Sequence, residues 1–321
     1  MAALAPFGIE PYYSVRPWGF HDLRPWYDRV AEGEPIGEVW LTGDECAIAT
    51  GPHKGEKLGA LFAEAHDAMV GLVAPAGSPL LIKVIFAREK LSVQVHPDDK
   101  MAQKYGEPRG KTECWYALAA EPGAKVALGV KPGTTLKQIE EEIQAGTLES
   151  SLNLVPVAAG DLIFVDAGTI HGIWPGSILL ETQQYSDTTY RMFDYGRGRE
   201  LHIAKSLEAT KLVTRAGKIA PRRLTDRTVL IDVEYFRVER VPVEGNRTSE
   251  GLRGGEERGL AYLFAAAGSG RLTGAGFEPV ELPARDIVAV PAASPEFVLE
   301  DTSGSGVTLD LIRITPNWPA Q

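Results

Sequence analysis

The chain has 321 residues, enough for two domains and a sizeable core, and its 44% hydrophobic and 24% charged content is ordinary for a soluble globule. A formal net charge of −10 excludes non-specific nucleic-acid binding, which needs a basic surface, and any anionic ligand must meet locally placed Lys and Arg. With 34 Gly and 22 Pro, the chain favours short strands and many turns over long helices, and its two cysteines, Cys46 and Cys114, argue against a disulfide framework.

In chain order, residues 12–50 alternate loops and short strands, with EVWLTG as one strand. Residues 58–66, LGALFAEAH, have helical periodicity. Residues 78–87, SPLLIKVIFA, form a nearly continuous apolar strand interrupted by Lys83. A lysine there is costly unless its amine reaches water or an anion, and snorkelling from an edge strand is the plain alternative. In LSVQVHPDD, residues 91–99, strand alternation puts Ser92, Gln94 and His96 on one face, and Pro97 ends the strand. Residues 98–106 read as a short helix with Asp98 and Asp99 at its N-terminus. In GKTECWYAL, residues 110–118, Glu113 opens an aromatic strand and Lys111 shares its face. Cys114 points to the other face, as a buried thiol.

Residues 131–146 are the clearest helix, with Thr134 or Thr135 as cap, Gly146 as terminator, and Leu136, Ile139 and Ile143 as its apolar stripe. GDLIFVDAGTIHGI, residues 160–173, reads as a turn, an apolar strand, a Gly turn and then His171. Glu181 closes the apolar strand SILLE, and Arg191 ends SDTTYR. Residues 200–212 form another helix, and the basic segment 215–223 is the best domain boundary. From 227 to 317 the pattern is strands and turns. There ELPARDIVAVPAASPEFVLE repeats the rhythm of residues 158–175 without a His, which suggests a second barrel or generic antiparallel structure.

Gln94, His96, Glu113 and His171 together make a mixed N/O ligand set suited to zinc or another divalent transition metal. Singly, each has an ordinary reading: a satisfied polar pair, a solvated carboxylate, a loop histidine. Burial of Glu181 would raise its pKa and suit it to proton transfer. Arg191 can fork to an anion or simply pair with Asp187 or Asp194. Lys111 is a candidate electrophile or proton carrier, with a solvated lysine as the alternative. Ser92 could hydrogen-bond phosphate. Arg197 and Arg199 either extend an anion site or are exposed.

Residues 160–171 resemble the second cupin motif, with Asp166 where Pro is usual, and QVH resembles the H-x-H of the first. With ETQQYSDTTYRMFDYGR (181–197) and KTECWY added, the chain resembles the type I phosphomannose isomerases in their short bacterial form. RPWG, PIGEVW and HIAKSLE add minor support, and the resemblance spans about residues 12–212. It implies a mainly β fold of two cupin-like jelly-roll barrels with a few short helices. Residues 1–215 would be the metal-binding catalytic domain, and 224–321 a degenerate barrel without ligands. It implies one zinc ion per chain and interconversion of mannose 6-phosphate and fructose 6-phosphate through a cis-enediol(ate). Glu181 would then be the acid/base, aided by Arg191 and Lys111, with Lys83, Ser92 and Arg191 as substrate contacts. The competing readings are an iron cupin oxygenase and a non-catalytic sugar-binding cupin. The expected partner is a small sugar phosphate, with neither nucleic acid nor membrane, in a cytoplasmic monomer or homodimer.

Overall fold

The apolar run near residue 80 folds as the strand Leu80–Ala87, and every residue in it is buried. Side chains of a strand alternate between faces, so a strand buried throughout must be covered on both sides. The computed structural model, which describes residues 3–71, 77–253 and 258–317, has this arrangement. Ile82, Val84 and Phe86 join one core with Cys114, Tyr116 and Leu180. Ile85 and Ala87, on the other face, join a second core with Trp115, Ala117 and Leu179.

The protein is mainly antiparallel β structure in four sheets. One large sheet has the order Leu162–Val165, Glu113–Ala120, Ser177–Gln184, Leu80–Ala87, Ile36–Trp40, Tyr12–Phe20. The other runs Ile287–Val290, Ala261–Ala267, Leu309–Pro316, Phe236–Val243, Thr228–Asp232, Arg222–Arg223, which is the same topology strand for strand. The small sheets correspond as well. Val93–Val95, His171–Ile173, Lys125–Val130 and Leu152–Pro156 match Asn246–Thr248, Phe297–Asp301, Gly270–Gly274 and Val280–Leu282. Each large sheet and its small partner enclose their own core, giving two cupin-like barrels. The barrels pack through the backs of their large sheets, where one core joins Val84, Phe86 and Tyr116 to Phe236, Tyr262 and Ile314.

Short edge strands stitch the two halves. Gly217–Lys218, in the basic connector, pairs with Leu162–Val165, while Phe7–Gly8 from the N-terminus pairs with Ile287–Val290 of the second large sheet. The helices are few. Asp99–Lys104 is capped by Asp98, whose side chain accepts from the Met101 amide. The 131–146 helix is Leu136–Ala145, capped by Thr135 and ended by Gly146 at φ 72°. Gly133, at φ 88°, holds a turn ahead of the cap. Leu136, at the first helical position, is 40% exposed, so the apolar stripe is Ile139 and Ile143 alone. The 200–212 helix shortens to Ile203–Ala209. No helix among the described residues is long and apolar enough to cross a membrane.

Candidate active site

Strand pairing assembles the donor set. His171 lies directly opposite Gln94 across the small sheet of the first barrel. Glu113 opens its strand on the facing large sheet. Ligand atoms of His96, Glu113 and His171 all lie within 4.8 Å of one another, and all three residues are buried. His96 Nδ1 is 3.0 Å from the Thr188 carbonyl, and His171 Nδ1 is 2.9 Å from the Thr169 carbonyl. A carbonyl only accepts, so each Nδ1 donates and each Nε2 turns a lone pair into the centre.

Glu113 is fully buried, and neither of its carboxylate oxygens has a hydrogen-bond donor. Its Oε2 is 3.5 Å from His96 Nε2 and its Oε1 3.5 Å from His171 Nε2. Acceptors facing one another in a dry site are costly unless a cation lies between them. Atoms bound tetrahedrally to zinc at about 2.1 Å are roughly 3.4 Å apart, so the observed spacing fits such an ion. The Gln94 amide is 3.3 Å from His171 Nε2, and turning it about its last bond presents its oxygen to the same point. Burial pushes His171 down to about 4 and His96 well below its ordinary value. Burial, and then the charge of Glu181, push Glu113 up to about 8. Neutral imidazoles are the state a divalent cation requires, and a cation between these groups would draw Glu113 back to its ionised form.

Beside this centre is a cavity of about 450 Å³ lined by Ser92, Gln94, Lys111, Glu181 and Arg191, among others. Lys83 is on its wall, buried, so the snorkelling reading does not hold. Its Nζ is 2.8 Å from Glu181 Oε2, because Glu181 is its cross-strand neighbour. Glu181 does not close its strand, which continues to Gln184. Trp115, its neighbour on the other side, donates Nε1 to Oε1 at 2.9 Å. The expected rise in the Glu181 pKa is also reversed. Burial works upward, but the Lys83 and Lys111 charges, helped by the bonds from Lys83 and Trp115, hold the carboxyl down at about 2. Lys83 is raised in turn: burial opposes its charge, and Glu181 and Glu38 outweigh it. Lys111 Nζ is 3.5 Å from Glu113 Oε2, facing the cavity as its strand face predicts.

Ser92 is buried with its hydroxyl 3.4 Å from Gln94 Oε1. Arg191 donates Nη1 to the Glu200 carbonyl at 2.9 Å and makes no carboxylate bond with Asp187 or Asp194. Asp194 is held instead by Arg199 and by Arg197, the latter at 3.2 Å. Arg199 lines the cavity with its guanidinium 5.0 Å from the Trp18 ring centroid, and Arg197 does not line it. Asp187, considered only as an ion-pair partner, is on the wall too.

Other wall residues were missed, among them Arg16, Trp18 and Glu38. Their signal was a pair of short motifs, RPWG and PIGEVW, whose glycines let two strands cross closely. A Cβ on Gly19 would be 2.2 Å from the Ile36 carbonyl, and one on Gly37 would be 2.5 Å from Arg16 Cβ. Glu38 stays ionised against burial because Lys83 and then Arg16 lower its pKa.

Comparison with known proteins identifies the family and the fold. The family profile described as phosphomannose isomerase type I, catalytic domain, matches residues 20–132. A mannose-6-phosphate isomerase of Streptococcus mutans is 32% identical over 302 residues, covering 89% of this chain and 92% of that protein. The crystal structure of the mannose 6-phosphate isomerase from Bacillus subtilis superposes with a TM-score of 0.83 at 28% identity, covering 97% of this chain and 99% of that one. A mannose 6-phosphate isomerase solved with zinc and yttrium bound shares the fold, with a TM-score of 0.74 at 15% identity over 98% of this chain and 100% of that one. The length and level of the sequence match, with the shared fold, mean that the chain belongs to the type I phosphomannose isomerase family.

Proposed function

We propose that the protein is a metal-dependent isomerase interconverting mannose 6-phosphate and fructose 6-phosphate. The observation that carries the reading is the buried His96–Glu113–His171 donor set, which opens beside the Lys83–Glu181 pair in one cavity. Family membership supports it. One zinc per chain, or another divalent transition metal, held by Gln94, His96, Glu113 and His171, would supply a Lewis acid that polarises the sugar oxygens.

The chain's own groups do the rest. Glu181, kept ionised by Lys83, accepts the proton from C2 of the aldose and returns it at C1. Lys111 and Arg191 face the charge that develops on the sugar oxygens between those steps. Ser92 and Arg191 are the phosphate contacts. Lys83 completes that set only if it can reach past the two carboxylates it pairs with.

We assign this chemistry to residues 1–215 and a degenerate barrel to 224–321. Ala261 opens the strand matching that of Glu113, Phe297 opens the strand matching that of His171, and no histidine follows His202. The test is an assay of the purified protein on mannose 6-phosphate, fructose 6-phosphate and free mannose, with metal analysis. Turnover should be confined to the phosphorylated sugars, cease on chelation and return with zinc. Equal specificity constants for mannose and mannose 6-phosphate would point to a free-sugar isomerase. His171→Ala should lose metal and activity together, and full metal content in that variant would overturn the ligand set.

A further inference from the structure

Glu38 has no part in the chemistry derived so far, yet it is buried on the cavity wall. Its Oε2 accepts from Trp40 Nε1 at 2.8 Å, is 3.1 Å from Arg16 Nη2, and is 3.8 Å from Lys83 Nζ. The Lys83 ammonium therefore lies between two buried carboxylates, Glu38 on one side and Glu181 on the other. A lysine stem is flexible and its head is a point charge, so one partner alone leaves the head free to swing into a roomy cavity.

The second barrel repeats this arrangement with every sign reversed. Lys83 is the fourth of eight residues in its strand, and Glu239 is fourth of eight in the matching one. Glu181 is fifth of eight in its strand, and Arg313 is fifth of eight in its counterpart. Trp40 pairs with Lys83 and Val229 with Glu239, so Glu38 and Arg227, each two residues earlier, correspond. Glu239 Oε2 is 2.6 Å from Arg313 Nη1 and 3.5 Å from Arg227 Nη1. Both barrels thus fix a central charge between two of opposite sign. In the first barrel all three members line one cavity of about 450 Å³, whereas in the second Arg313 lines a cavity of about 30 Å³ and Arg227 a separate one.

We propose that Glu38 is a positioning residue, which clamps the Lys83 ammonium against Glu181 and anchors the Arg16 guanidinium at the cavity wall. The inference rests on the reading of Glu181 as the acid–base group. Removing the clamp lets Lys83 move by a distance that, in a preorganised site, costs up to ~100-fold in rate.

The test uses the zinc-loaded enzyme and three variants, Glu38→Gln, Glu38→Asp and Glu38→Ala. Two readouts are taken: kcat and KM on mannose 6-phosphate, and the hydrogen-exchange rate of the Lys83 ammonium by NMR with isotope-labelled lysine, assigned by its absence in Lys83→Met. Glu38→Gln should lower kcat by roughly ten- to a hundredfold, shift KM less, leave metal content intact and speed ammonium exchange. Glu38→Asp should recover part of both losses and serves as the main variant if the others do not fold. Wild-type kcat in Glu38→Gln overturns the proposal, and so does a lowered kcat with unchanged ammonium exchange. If the wild-type enzyme shows no isomerase activity, the functional reading fails. The exchange measurement then still judges the clamp on its own.

Discussion

Glu181 is the residue on which sequence and structure differ most usefully. As the only charge in SILLE it stands out, and burial alone would raise its pKa and favour the protonated form. Its cross-strand partner, Lys83, comes from far earlier in the chain, and only the pairing register reveals that burial has been offset. In this state the Glu181 carboxylate is ionised, with Oε1 accepting from Trp115 and Oε2 ion-paired with Lys83. Glu181→Gln preserves the shape and the Trp115 bond but removes the proton acceptor. General acid–base catalysis is typically worth ~100- to ~10,000-fold, so turnover should fall on that scale with metal still bound. Solvent deuterium exchange at C2 should fall in parallel. Wild-type turnover and exchange in this variant would make Glu181 structural and move the base to Lys111. The candidate metal donors were easier to read. Ser92, Gln94 and His96 obey strand alternation within five residues, and His171 follows a recognisable turn.

At the scale of elements, local signals were legible and crossings were not. Asp98, Thr135 and Gly146 mark helix ends through contacts with their own neighbours, and each acts as a cap or terminator in the structure. The strand Tyr12–Phe20 is different. It brings Arg16 and Trp18 over the cavity only because Gly19 and Gly37 allow it to lie close on Ile36–Trp40. No periodicity in RPWG or PIGEVW announces that contact. Gly37→Ala would put a Cβ 2.5 Å from Arg16 Cβ and 2.8 Å from Trp18 Nε1. The crossing strand must then lift, at a cost of about 1–3 kcal/mol for overpacking. Because Arg16 and Trp18 line the cavity and are not among the candidate metal donors, KM should rise several-fold with metal content unchanged. Steady-state kinetics and a denaturation curve measure both effects. A variant with wild-type KM and stability would mean that the crossing is loose and that Arg16 and Trp18 do not shape the site.

The whole molecule is one topology used twice, and the second use shows what the first would be without its reaction. Alternating apolar runs suggested a second barrel, but its charges, Glu239 in FRVERVPV and Arg313 in LDLIRITP, look like isolated anomalies until the register pairs them. They belong to the sign-reversed trio Arg227–Glu239–Arg313, whose members are all buried. Taking three charges out of water is expensive, and their mutual attraction returns that cost only while all are present. Glu239→Gln should therefore destabilise the protein by about 3–5 kcal/mol, since it leaves Arg227 and Arg313 facing each other without their shared carboxylate. Replacing the trio together, as Arg227→Met, Glu239→Leu and Arg313→Met, should be near neutral, because apolar side chains of similar volume avoid the desolvation. Arg237, 2.7 Å from Glu239 Oε1, and Asp226, 2.8 Å from Arg227 Nη2, are partly exposed and can turn their charges to water. Zinc content and kinetics should be unchanged in the triple variant, because the trio lies in the barrel without the donor set. Urea denaturation of the wild type, the single and the triple variant measures the difference. A triple variant as unstable as Glu239→Gln would show that the trio holds the barrel's register through its charges, and that packing alone cannot replace it.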